Sequence, residues 1–417
     1  MKSALSYLAV AKQCEIRELE QLTLTSELVQ RTAELVHGLQ KERGFTNLFL
    51  GSDDPRLAQQ RQDLLARCRS VENGARNAFD RLDTEGVRIG NGARVFSRIA
   101  YVLHGLDALP GLRARIDAKA VTAAQATQAF IKLIAGLLAV VFEAADSATD
   151  PEVSRLLVAM FNFMQGKELA GQERATGAAA FASGRIEAVR QRHWLHLIDS
   201  QERCFTVFTD FADTGPMELW GLCQAVPAMA EVERLRRVAC TAPADSPLDR
   251  TLGRTWFDGC TERIDAMQTV EARLAADLLL LCGRKIGQAR GELTRHQALL
   301  ANISAAPPAP SGFFDETAPG PQPPAIGPHL ERSVLEMVQE QSHRLQAMGD
   351  ELATVRAALN ERKVVERAKG VLMAHRHLSE DEAHKMLRQT AMGQGRRLVD
   401  VAEAVLAMAD LLPARGA

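Results

Sequence analysis

Aromatic side chains are scarce in this chain, at 5% of 417 residues with only two tyrosines. Alternating runs of Val, Ile, Thr and Tyr are scarce too, whereas Ala, Leu, Arg, Glu and Gln abound. These shortages argue against a sheet protein and predict an all-α fold. Charge of one sign is also lacking. A net charge of −2 excludes a globally basic binder, so any nucleic-acid contact must come from a local patch. The seven cysteines, at 14, 68, 204, 223, 240, 260 and 282, form no C-x-x-C pair. That spacing argues against metal or redox frameworks and fits reduced thiols in a cytoplasmic protein. The longest apolar run, Leu133–Phe142, falls well short of the about 20 residues that span a bilayer. The N-terminus turns charged too early for a signal peptide, so a soluble protein without membrane contact is expected. No Ser-His-Asp, Cys-His or paired-carboxylate signature stands out, and neither an enzyme nor a cofactor is expected. His375, His377 and His384 lack a defined fourth metal ligand, and Gly283–Gly291 lacks the strand–turn–helix setting of a phosphate loop.

What is present is helix. Up to about Ile303, one helical apolar pattern follows another, with Pro, Gly or Asp breaks near Ser52–Pro55, Gly86–Gly92, Ala118–Thr122, Asp146–Pro151, Gly184, Asp213–Pro216 and Thr241–Pro247. Eight principal helices are predicted, several near 25 residues or longer, with a less regular piece between Pro216 and Pro247. Long helices with short connections pack as antiparallel bundles. Residues 304–328 are rich in Pro, Ala and Gly and read as a linker, with Phe313–Phe314 inside it. From 329 to 360, Val334, Val338, Gln341, Leu345, Met348, Leu352, Val355 and Leu359 alternate steps of four and three. That is a heptad seam, which predicts either a homodimeric coiled coil or a stripe packed on its own chain. Residues 361–417 show three short amphipathic runs, with Ser379 and Glu382 at capping-box spacing and Gly393 and Gly395 as punctuation. These make a small three-helix bundle. The expected division is thus 1–303, 304–328, 329–360 and 361–417.

Three arginines occupy seam positions that should be apolar. Leu22, Thr25, Val29, Thr32, Val36 and Leu39 lead to Arg43, then Thr46 and Leu50. Leu156, Met160 and Phe163 run through Lys167 and Ala170 to Arg174, then Gly177 and Phe181. Trp256 and Cys260 lead to Arg263, then Met267, Val270 and Leu274. A buried, unpaired cation costs several kcal/mol, so each needs a partner. Glu42, Glu173 and Asp265 are near in sequence but point to other helix faces. Convergence of the three would favour a planar oxyanion, which matches guanidinium forks; snorkelling to water is the alternative.

Local words extend both readings. QKERGFTNLFLGS, GKELAGQERATGAAAFASG and TWFDGCTERIDAMQTVE resemble the motifs of the NIT family of nitrate- and nitrite-sensing helical domains. The resemblance implies nitrate or nitrite as signalling ligand, held by Arg43, Arg263 and Arg174, with Gly44 and Thr46 lining the site. AKGVLM followed by LSEDEA, LR and AM resembles the ANTAR domain, which binds RNA hairpins in leader transcripts. His377 stands where that pattern commonly has Gly, and His384 where it commonly has an aromatic. Sensor, linker and ANTAR in this order imply a nitrate-responsive transcription antiterminator, in which anion binding frees or aligns the output domain. Lys369 and Arg388 lie inside the ANTAR words; Arg362, Lys363, Arg367, Arg396 and Arg397 complete a candidate phosphate-facing patch. An anion-gated protein-interaction module, or the same architecture tuned to another small anion, are the alternatives.

Overall fold

The computed structural model describes residues 4–51, 55–82, 92–243, 245–304, 326–376, 378 and 380–409. The expected linker (all but its ends), Ser379 of the capping box and His377 lie outside the described residues, as do the side chains of Val334, Val338 and Gln341. The described residues form helices and no strand; an isolated bridge joins Arg185 to Pro247.

The N-terminal part contains α1 (Ala4–Leu50), α2 (Pro55–Asp80), α3 (Gly92–Asp117), α4 (Ala123–Ser147), α5 (Pro151–Ser183), α6 (Ala188–Phe211), α7 (Thr214–Gln224), α8 (Pro227–Thr241) and α9 (Leu252–Ser304). Local chemistry sets these boundaries. Thr122 and Gln125 form a capping box at the start of α4, and Asp150 caps α5 with Pro151 in the first turn. Gly184, at φ 72°, ends α5 in the left-handed conformation that glycine adopts without a Cβ clash. The piece expected to be irregular folds as α7 and α8, because Pro227 starts a new helix instead of breaking structure.

The two longest helices, α1 and α9, run antiparallel, as the pairs Lys12–Glu292, Ser26–Cys282 and Lys41–Asp265 record. Helix α5 packs antiparallel to α9 through Asp150–Lys285, Lys167–Glu271 and Arg174–Thr261. It lies beside α1 in the same direction, with His37 near Lys167 and Arg43 on Glu168. Helix α4 is long and apolar enough to cross a membrane, but most of its apolar window is buried inside this bundle. A main core joins α1–α7 and α9, and a smaller one around Trp194 and Trp256 joins α5, α6, α8 and α9.

The C-terminal part contains α10 (Ile326–Arg376), α11 (Glu380–Gln394) and α12 (Leu398–Ala409). Helix α10 runs without interruption across residues 360 and 361, so the heptad helix and the first helix of the small bundle are one rod of about 75 Å. Ala368, Leu372, Ala383, Leu387, Ala391, Val401 and Ala402 form the bundle's core on the expected stripes. The heptad seam divides. Val355 and Leu359 are buried against the core of the N-terminal part, whereas Leu345 is 56% exposed.

Candidate functional site: a buried arginine pair and a docked output bundle

Arg43, Arg174 and Arg263 are all buried, as their seam positions require. Arg43 leaves α1 and lies against α5, where its fork grips Glu168: Nη1 donates to Oε1 at 2.5 Å and Nη2 to Oε2 at 3.1 Å. Arg174 leaves α5 and lies against α1. The two guanidinium groups are seated reciprocally on glycines. A Cβ at Gly171 would sit 2.5 Å from Nη2 of Arg43, and one at Gly44 would sit 2.4 Å from Nη2 of Arg174. Any larger residue at either position displaces a guanidinium, which is the local reason for glycine in both words.

Arg174 is the less compensated of the two. Its Nη1 donates to the Thr261 hydroxyl at 2.9 Å, and its guanidinium lies 4.9 Å from the Phe257 ring centre. Among the described residues no carboxylate forms an ion pair with it. Burial, then the neighbouring charge of Arg43, lowers its pKa to about 10. Of these two causes, burial penalises a charge of either sign, and it is the charge of Arg43 that favours an added anion beside Arg174. His37 feels the same field: burial, then Lys167, Lys41 and Arg174, hold its pKa down at about 2.

Arg263 does not join this pair. It sits in a second cluster centred on Glu173, which is fully buried. Glu173 accepts from Arg236 at 2.7 and 2.6 Å, from Trp194 Nε1 at 3.0 Å, from Gln201 at 2.8 Å and from Arg263 Nη1 at 3.4 Å. Successive residues on a helix diverge by about 100°, so Glu173 and Arg174 serve different neighbours. Arg263 Nε has no hydrogen-bond partner, and burial followed by Arg236 lowers the Arg263 pKa. Thr46 also turns elsewhere, accepting a hydrogen bond from Arg61 at 3.3 Å. None of the three carboxylates suggested by sequence proximity pairs with the arginine beside it in sequence: Glu42 holds Arg113, Glu173 holds Arg236 and Arg263, and Asp265 holds Lys41. Glu168 was missed, although its place beside Lys167 on an apolar seam was the available signal.

The candidate RNA residues divide by what they touch. Lys369 is buried, and its ammonium bridges Glu366 at 2.8 Å and Glu380 at 2.7 Å, pinning α10 to the start of α11. Burial opposes its charge, but the two carboxylates hold its pKa above the ordinary lysine value. Three others reach the sensor. Arg362 donates to Asn162 at 2.9 Å and lies 4.8 Å from the Phe161 ring centre. Lys363 pairs with Asp146 at 2.5 Å and lies 5.5 Å from the Phe142 ring centre. Arg388 pairs with Asp199 at 2.8 Å. Arg367 is exposed, Arg396 reaches the Asp400 carbonyl oxygen, and Arg397 pairs with Glu361. Between the two parts lies a cleft of about 350 Å³ lined by Asn162, Arg203, Cys204, Arg362, Lys369 and His384 among others.

The fold and these two sites define a class: a helical sensor with buried, partly compensated arginines, carrying a small cationic output bundle docked on its flank. Residues 34–279 match the NIT family, described as nitrate and nitrite sensing, and residues 353–406 match the ANTAR domain. The chain belongs to the NIT family and carries an ANTAR domain at its C-terminal end. It is 33% identical over 406 residues to the nitrate regulatory protein of Klebsiella oxytoca, covering 96% of this chain and 94% of that one. It is also similar to the solved structure of the NasR transcription antiterminator, with 31% identity and a TM-score of 0.59, over 97% of this chain and 99% of that one.

Proposed function

We propose that this protein is a cytoplasmic, nitrate- or nitrite-responsive transcription antiterminator that binds leader RNA hairpins. The observation that carries the reading is the Arg43–Arg174 pair: two buried guanidinium groups from different helices, of which, among the described residues, only Arg43 is paired with a carboxylate, Glu168. A planar monoanion bound there offsets the remaining positive charge and accepts paired N–H donors. Helix α5 links that event to the output. Its Glu168–Arg174 segment faces the arginine pair, while Phe161 and Asn162 hold Arg362 of α10. A ligand shifts such an equilibrium only through differential affinity, and uncompensated charge in the empty state supplies the difference. In the docked form, Arg362, Lys363 and Arg388 are spent on Asn162, Asp146 and Asp199. Undocking frees them for phosphates. On this reading the output unit begins within α10, residues up to about 304 form the sensor, and the exposed part of the heptad seam is free to pair with a second copy.

The test is a thermal-shift panel of nitrate, nitrite, chlorate and bicarbonate on the full chain, alongside Arg43→Ala and Gly44→Ala. Gly44→Ala keeps every ion pair's chemistry while displacing the Arg174 guanidinium, so it guards against simple misfolding of Arg43→Ala. Stabilisation by nitrate is expected in the wild type and is expected to be lost in both variants. An equal shift in all three proteins sinks the site. A gel shift with a two-hairpin leader RNA, with and without nitrate, tests the output; an RNA affinity indifferent to nitrate and to salt would argue for a protein partner instead.

A further inference from the structure

The Glu168 carboxylate is coordinated as a bound anion would be. It is 3% exposed, and each oxygen receives two donors. Oε1 accepts from Arg43 Nη1 at 2.5 Å and Gln172 Nε2 at 2.9 Å; Oε2 accepts from Arg43 Nη2 at 3.1 Å and Gln40 Nε2 at 2.9 Å. The O–C–O edge of a carboxylate and the O–N–O edge of nitrate present the same two in-plane acceptors to a guanidinium fork. The side chain therefore occupies the position in which an incoming planar oxyanion would make its best contacts with Arg43. The charge count is equally specific. Arg43, Arg174 and Glu168 together carry one positive charge, so one monoanion neutralises the cluster and a dianion overshoots it.

We infer that Glu168 is an internal competing ligand that sets both the affinity of the sensor and its restriction to singly charged oxyanions. The inference rests on the reading that nitrate binds at Arg43 and Arg174. Nitrate binds by exchange at the Arg43 fork, and the carboxylate that it displaces, or shares the fork with, excludes a second negative charge. Gln172 and Gln40 act as positioning residues, holding the carboxylate in the fork. Removing the charge of Glu168 leaves two buried cations, which raises the affinity for any oxyanion that fits and admits dianions.

The experiment is calorimetric titration of the full-length protein with sodium nitrate and with sodium sulfate, at constant ionic strength. The wild type is expected to bind nitrate and not sulfate. Glu168→Gln is expected to bind nitrate about tenfold more tightly and to gain sulfate binding. A Glu168→Gln protein with unchanged nitrate affinity that still excludes sulfate overturns the inference, and it leaves the site reading intact if Arg43→Ala abolishes nitrate binding. A wild type that does not bind nitrate at all overturns the site reading and this inference together. Should Glu168→Gln fail to fold, Gln172→Leu loosens the carboxylate without leaving Arg43 unpaired. It is then expected to tighten nitrate binding by about threefold, and no change there overturns the inference.

Discussion

The sensor interior and the sensor–output seam both use arginine against acid, yet at opposite ends of the exposure scale. In the interior, Arg43–Glu168 is 1% and 3% exposed, and Glu173 is wholly enclosed by its donors. At the seam, Arg388–Asp199 is 54% and 45% exposed. Removing one partner of a buried pair strands a charge in low dielectric, whereas an exposed pair exchanges partners with water at little cost. The interior is therefore suited to a switch, where one added charge changes much. The exposed polar part of the seam is suited to release, where contacts such as Arg388–Asp199 give way at little cost.

The comparison breaks first at Glu173. Glu173→Gln leaves Arg236 and Arg263 without their shared counter-charge, and a loss of about 3–5 kcal/mol in urea unfolding is expected. A loss below about 1 kcal/mol would mean that the interior pairs are no costlier than the exposed ones. Next comes the apolar part of the seam. Leu359 is 1% exposed in the core that α10 shares with the sensor. Leu359→Ala is expected to weaken docking by about 2–3 kcal/mol and so to raise nitrate-free RNA affinity, measured by gel shift. Unchanged RNA affinity would mean that docking does not restrain the output.

Acidity probes the seam more gently. His384 of α11 is 7% exposed, and its ring packs against His196 of α6 with centroids 5.6 Å apart. Burial, then Arg203, His196, Lys369 and Arg388, lowers its pKa to about 4. Released from the sensor, it returns toward the ordinary histidine value of about 6.5. The docked form thus binds fewer protons. Docking is at full strength above about pH 6.5 and weakens as pH falls toward 4. Between pH 8 and 5.5 the loss is about 1 kcal/mol, visible as increased nitrate-free RNA binding that His384→Gln should no longer show.

The sequence exposed the helices more readily than their partners. The registers through Arg43, Arg174 and Arg263 were legible because apolar spacing marks a buried face whatever lies on the other side. Pro55, Pro151 and Gly184 mark ends, whereas the piece between Pro216 and Pro247, expected to be less regular, holds α8 from Pro227 onward. Partner choice was not legible. Arg43 takes Glu168, 125 residues away, over its neighbour Glu42, which is held by Arg113 from α3. Lys369 carried the ANTAR words into a buried pin, because a lysine inside a fixed motif does not reveal whether its ammonium faces water or Glu380. The boundary expected at residue 360 came from where the motif starts; no Gly or Pro breaks α10 between Gly349 and Gly370.

The smallest expected effect is also the one that most sharpens the contrast between interior and seam. Asp199→Ala removes the partner of Arg388, and neither group is buried. An exposed pair contributes at most about 1 kcal/mol, so global stability should be unchanged and nitrate-free RNA affinity should rise by no more than about fivefold. The rise should fade as salt increases, because the contact it replaces is screened. A double variant with Arg388→Ala separates the two roles of that arginine. If Arg388 only tethers the output to the sensor, Asp199→Ala adds nothing in its background and RNA affinity with nitrate stays at the wild-type level. If Arg388 also meets phosphate once released, affinity with nitrate falls in both Arg388 variants and the salt dependence becomes shallower by about one ion. The second outcome is expected, since the carboxylate of Asp199 engages the guanidinium much as a backbone phosphate would.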